Sequence, residues 1–145
     1  MEGLDEELQL GENSNIVPID KEQKKTTRKP FHYWTVGGVE HKLKLNTAMI
    51  TKLEGKYRTN IINLVTNDGV PPLSVMLTIV QAAINPWEHG TSYSDVEKMF
   101  DTYLVEGGDQ QSFMKDVILP LMAVSGFFTE KQSQELMEKM SDGMI

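Results

Sequence analysis

The sequence predicts a mainly α fold: a small helical domain of five or six helices that opens on a β-hairpin. Three observations predict it. Gly37-Gly38 separates two short runs rich in aromatic and β-branched residues. Beyond Asn46, apolar side chains recur at helical spacing. Proline, glycine and capping residues then interrupt those stripes about one helix length apart.

The hairpin comes first, at 31–45. Phe31-His32-Tyr33-Trp34-Thr35-Val36 and Val39-Glu40-His41-Lys42-Leu43-Lys44-Leu45 flank the glycine pair. A two-residue Gly-Gly loop suits the primed turns, whose positive φ matches strand twist. Pairing outward from it sets Val36 opposite Val39, Trp34 opposite His41 and His32 opposite Leu43, and these six are expected to face the core. Thr35/Glu40, Tyr33/Lys42 and Phe31/Lys44 share the other face, where two aromatics beside charges suggest half exposure. A lone hairpin is marginal in water, so it must pack on something.

Helices follow. Asn46 or Thr47 caps a helix to about Lys56, with Met49, Ile50, Leu53 and Tyr57 along one side. A short second helix is expected from near Thr59, then a turn at Thr66-Asn67-Asp68-Gly69. Pro71-Pro72 opens a third, and Leu73, Met76, Leu77, Val80, Ala83 and Ile84 form one buried stripe ended by Asn85-Pro86. Ser94-Asp95-Val96-Glu97 reads as a capping box before Val96, Met99, Phe100, Tyr103 and Leu104. Gly107-Gly108 ends that helix and Asp109 caps the next, whose stripe is Phe113, Met114, Val117, Ile118, Leu121 and Met122. Pro120 should kink it, because proline lacks the backbone donor and clashes with the preceding turn. Gly126 stops it before Phe127-Phe128. Thr129 and Gln132 form a second capping box, opening a thinly apolar, peripheral last helix to about Ser141.

Charge divides the chain of 145 residues, net charge -7, into three blocks. Residues 1–20 hold six acids and no base; residues 21–29 hold five bases and one acid; residues 30–145 hold nine bases and fourteen acids. The first 29 residues lack aromatics and sustained periodicity, so 1–29 is expected to be a disordered acidic and basic tail, and 30–145 the folded domain. No basic start and apolar run marks a secretory signal. No stretch of about 18 apolar residues suits a membrane span. The protein is expected in the cytoplasm.

Composition also narrows the chemistry. There is no cysteine, which excludes thiolate metal sites, disulfides and cysteine nucleophiles. The three histidines, His32, His41 and His89, lack ligand spacing, so no metal site and no cofactor are expected. Gly37-Gly38 leads into a strand, and acids bracket Gly107-Gly108, so turn and cap explain both pairs better than phosphate binding. Ser125-Gly126 has no strand-to-helix elbow and no histidine near it in sequence. The run Lys21 to Lys29 lacks interleaved aromatics and follows six acids, which favours a solvated tail over a nucleic-acid arm. No catalytic set emerges; the sequence reads as a binder, not an enzyme.

Nine methionines are the one excess. Met1 is the initiator, and Met49, Met76, Met99, Met114 and Met122 fall on or beside core stripes as gap fillers. Met137, Met140 and Met144 lie in the last helix and tail, where thioethers suit either packing or an adaptable binding surface. For a protein that binds apolar helices, the candidate partner-binding residues are Phe127, Phe128, Leu136, Met137 and Met140, with Phe31 and Tyr33 on the outer hairpin face. The other reading of Phe127-Phe128 is that the pair closes the core beneath the last helix.

The run Trp34-Thr35-Val36-Gly37-Gly38-Val39-Glu40-His41-Lys42-Leu43-Lys44-Leu45 is followed by a Pro-Pro helix, His89-Gly90 with a capping box, Glu106-Gly107-Gly108 and Val124-Ser125-Gly126-Phe127-Phe128. In that order, over about residues 31–128, these resemble the tail assembly chaperones of long, non-contractile-tailed phages of Gram-positive bacteria. The resemblance implies a non-enzymatic protein that binds the tape measure protein and keeps it soluble in the host cytoplasm until the tail tube polymerises around it. It also implies self-association, absence from the mature virion, and a longer form made by programmed frameshift that recruits tail tube protein. This chain would be the short form, ending at Ile145. The family supplies no catalytic residues and no binding motif to carry over, and neither nucleic acid nor membrane is expected as a partner. A head–tail connector or tail-completion subunit is the competing structural reading, and a small DNA-binding regulator using residues 21–29 a third.

Overall fold

A computed structural model of the chain describes residues 28–66 and 69–143. The expectations for residues 1–27, for Asn67-Asp68 and for Met144 lie outside the described residues. Gly37 and Gly38 take φ of +60° and +75° and close a hairpin of β1 (His32–Val36) and β2 (Val39–Leu43). Its register runs His32↔Leu43, Trp34↔His41 and Val36↔Val39, as the glycine pair predicts. Trp34, Val36, His41 and Leu43 are buried on the inner face, whereas His32 is half-buried. Val39 departs from the expectation: it is 52% exposed. It sits at the tip of β2, whereas the helix over the tip packs on β1, so side-chain alternation alone does not cover it.

Helix α1 (Thr47–Tyr57) is capped by Asn46, whose side chain accepts from the Met49 amide. Arg58 ends it in the left-handed conformation (φ +59°), and the next helix, α2 (Ile61–Thr66), starts two residues later than expected. Asn60 supplies the reason: its side chain caps the Asn63 amide at 2.8 Å. Helix α3 (Leu73–Ile84) follows Pro72, and its buried set is wider than one stripe, since Val75 and Ile79 are buried along with Met76, Leu77, Val80, Ala83 and Ile84. It is the central element, packed on α1, β2 and the two helical segments that follow.

Helix α4 (Tyr93–Val105) starts earlier than its predicted box. Ser92 is the cap, accepting from the Asp95 amide at 3.0 Å while Asp95 accepts from the Ser92 amide at 2.9 Å. Two serines each precede an acid by three residues, and the earlier register adds two residues, the first of them the half-buried Tyr93. Gly107 and Gly108 end α4, and a side chain on Gly108 would meet the Tyr103 ring at 2.3 Å. Asp109 then caps α5 (Gln110–Phe113), which continues through a π-helical turn (Met114–Ile118) into α6 (Leu119–Val124).

That π turn is how the chain accommodates Pro120. Pro120 sits at the start of α6, and the helix continues through it to Val124 with the Leu119 amide bonding back five residues to Met114. In an α register the Asp116 carbonyl would pair with the amide of residue 120, which proline lacks. The ring of His32 reaches that carbonyl instead, Nε2 donating at 2.8 Å. The last helix, α7 (Glu130–Gly143), carries the predicted box: Gln132 N donates to Thr129 Oγ1, and Thr129 N to Gln132 Oε1, both at 3.0 Å. It extends slightly past the predicted end. With residues 110–124 counted as one helix there are six.

Hairpin and helices share one core, where Trp34, Phe100, Tyr103 and Phe113 interlock with ring centroids 5.0 to 5.8 Å apart. Met76, Met114 and Met122 are buried in it, and Met49 and Met99 pack against it half-buried. No helix among the described residues is long and apolar enough to cross a membrane.

Candidate partner-binding site

The residues nominated from sequence fall in two places. Phe31 and Tyr33 lie on the outer hairpin face. Phe127, Phe128, Leu136 and Met137 gather at the C-terminal end, around α6 and α7; the side chain of Met140 lies outside the described ones.

At the C-terminal end, Phe127 and Phe128 are half-buried and pack against the core. Each thus covers part of the core while leaving part of its ring in solvent. The open surface is beside them. A groove of about 260 Å³ runs between α6 and α7, floored by Ala123, Val124 and Met137 and rimmed by Arg28, Lys29, Gln134 and Glu138. Helix α7 reaches α6 through Ser133, which is buried and donates to the Ala123 carbonyl at 3.3 Å. A serine there lets two backbones approach without filling the space beside it, and Leu136 and Met137 stay half-buried. Arg28 donates to the Phe128 carbonyl at 2.9 Å, fixing the incoming chain along the rim. A second hollow of about 260 Å³ continues past Lys29, Pro30, Lys44 and Ser125. The Ser125 hydroxyl accepts from the Leu45 amide at 2.9 Å, which joins the hairpin to the end of α6.

At the hairpin, sequence reasoning missed a residue. Trp87, in the loop after α3, meets Phe31 edge-on at 5.2 Å, and Lys42 Nζ lies 4.6 Å from the Phe31 centroid and 4.7 Å from that of Trp87. Tyr33 is 45% exposed and Trp87 42%, which makes this the most aromatic exposed face among the described residues. A lone tryptophan in a loop carries no periodicity, so no repeat pattern could have marked it.

A second pairing was also invisible. His41 Nδ1 stands 2.6 Å from Glu88 Oε2, although the two are 47 positions apart in the chain. His41 borders a cleft of about 390 Å³ with Thr91, Asp95, Lys98 and Thr102. A histidine oriented by a carboxylate is half of an acid–base device, and the missing half is a nucleophile. The nearby hydroxyls are committed elsewhere: Thr91 donates to the Glu88 carbonyl at 2.8 Å and Thr102 to the Lys98 carbonyl at 3.2 Å. The pair therefore reads as a bolt between β2 and the loop after α3. His32 is likewise structural. Burial holds its pKa below the ordinary value of 6.5, against the opposing pull of the Asp116 carbonyl and carboxylate. Among the described residues no three acids or histidines gather into a possible metal site.

Two surfaces capable of holding an apolar partner thus remain, one a groove and one an aromatic face, joined by the stretch from Arg28 to Pro30. Set against protein-family models, curated proteins and solved structures, the chain matches none.

Proposed function

We propose that the chain is a phage tail assembly chaperone: it binds the tape measure protein and keeps it soluble in the host cytoplasm until the tail tube polymerises around it. The observation that carries this reading is the order of motifs from Trp34 to Phe128, which resembles that family. The α6–α7 groove is physically suited to the task. An amphipathic helix docks by laying apolar side chains into a groove, and a floor of Ala123, Val124 and the adaptable thioether of Met137 accepts many sequences. An acidic surface keeps such a complex soluble. In this reading the protein associates with further copies along the tape, a longer frameshifted form recruits the tail tube protein, and none of it remains in the mature virion.

Co-expression tests the proposal. Fragments of the tape measure protein from the same phage should become soluble and co-purify with this chain. Fragments that stay insoluble and unbound in its presence would end the chaperone reading. Stoichiometric recovery of the chain from purified virions would instead indicate a connector or tail-completion subunit.

A further inference from the structure

We propose that the acidic leader, residues 1–20, docks onto the outer hairpin face formed by Phe31, Lys42, Lys44 and Trp87. This inference is independent of the chaperone reading and concerns a segment that reading leaves without a role.

The face is an unusual one for a chain of net charge -7. Lys42 lies between two rings, and Lys44 Nζ is 5.8 Å from the Phe31 centroid. Among the described residues neither lysine forms an ion pair with a carboxylate. Among the described residues these two cations meet aromatic rings and no carboxylate, beside Trp87, which is 42% exposed. A complementary occupant offers carboxylates flanked by apolar side chains. Leu4-Asp5-Glu6-Glu7-Leu8 has that pattern, within a leader of six acids and no base. The basic run from Lys21 to Lys29 also attracts acids, but it contains no aliphatic or aromatic residue to match the leucines.

The tether favours the same occupant. The described chain begins at Arg28, and Lys29-Pro30 lead straight into Phe31 on the face itself. A linker such as residues 9–27 has a root-mean-square span of about 25 Å if flexible. That is enough to return Leu4 to Leu8 to the hairpin, at an effective concentration on the order of millimolar. A free acidic peptide or a second copy would need to be that concentrated to compete.

The chain is suited to a direct test, because it has no cysteine and two tryptophans, Trp34 buried on the inner face and Trp87 on the outer one. A nitroxide on Gln9→Cys in the full-length, ¹⁵N-labelled protein should broaden the Trp87 indole N–H signal markedly more than that of Trp34. The Trp87 signal should return in about 0.5 M salt, where the screening length is only about 4 Å. It should also return in the Asp5→Asn, Glu6→Gln, Glu7→Gln leader variant, which leaves the folded domain unaltered. Equal intensities at both tryptophans overturn the proposal, as does broadening that survives the triple substitution. Broadening seen when labelled, unenriched chains are mixed with unlabelled ¹⁵N chains assigns the face to a second copy and overturns it too.

Discussion

Helices α3 and α7 have similar lengths and opposite attachments. Seven of the twelve residues of α3 are buried, on more than one side, and β2, α1 and α4 all close on it. Helix α7 is fastened by the Thr129–Gln132 box at its start and by Ser133 against the Ala123 carbonyl, with Leu136 and Met137 only half-buried. An element surrounded by apolar neighbours is a scaffold. An element whose described side chains, Ser133 excepted, are at most half-buried leaves beside it a groove that a partner can enter. The same chain thus builds a rigid centre and a loosely covered margin, and the proposed function resides in the margin.

That contrast can be broken at its strong end first. Ile79→Ala removes a fully buried side chain from α3 and should cost about 2–5 kcal/mol, seen as a lower urea midpoint for the whole domain. A loss confined to α7 would show that α3 is not the shared centre.

A smaller effect is expected at the joint between β1 and the π turn. His32→Ala leaves the Asp116 carbonyl without its donor and should cost about 1–2 kcal/mol. The wild type carries a pH signature there. Burial lowers the folded-state pKa of His32 below 6.5, so the unfolded chain binds the proton more readily. His32's contribution is complete above pH 6.5 and is lost as pH falls from there through the lowered value. Denaturation midpoints measured across that window should fall with acid in the wild type and less steeply in His32→Ala.

The smallest effect belongs to the margin. Thr129→Ala removes the cap of α7 and should cost about 1 kcal/mol locally. Hydrogen exchange would show it as faster amides in α7 with α3 unchanged. If α3 amides accelerate equally, the two helices form one cooperative unit and the contrast is wrong.

Much of this architecture was legible in the sequence because single residues dictate it. Gly37-Gly38 fixes the hairpin register, Pro72 marks a helix start by its fixed φ, and Asp109 and Thr129 mark starts that depend on one side-chain cap each. What misled was local degeneracy. Ser92 and Ser94 both satisfy a capping box, and side-chain alternation places Val39 inward without revealing that no helix covers it. What stayed hidden was long range: the His41–Glu88 pair, Trp87 against Phe31, and the use of His32 to satisfy the carbonyl opposite Pro120. Of the residues lining the groove, Met137 was nominated from sequence, and Ala123 and Val124 were not. Its floor combines Ala123 and Val124 of α6 with a helix that departs at Ser133.

The most direct measurement uses the methionines as reporters. With methyl-¹³C methionine in the full chain, adding a soluble tape measure fragment should shift the Met137 methyl signal, while the buried Met76 and Met122 hold their positions. A Met137→Asp chain should bind the fragment more weakly and remain folded. A fragment that binds with no change at Met137, or one that does not bind at all, would contradict the account.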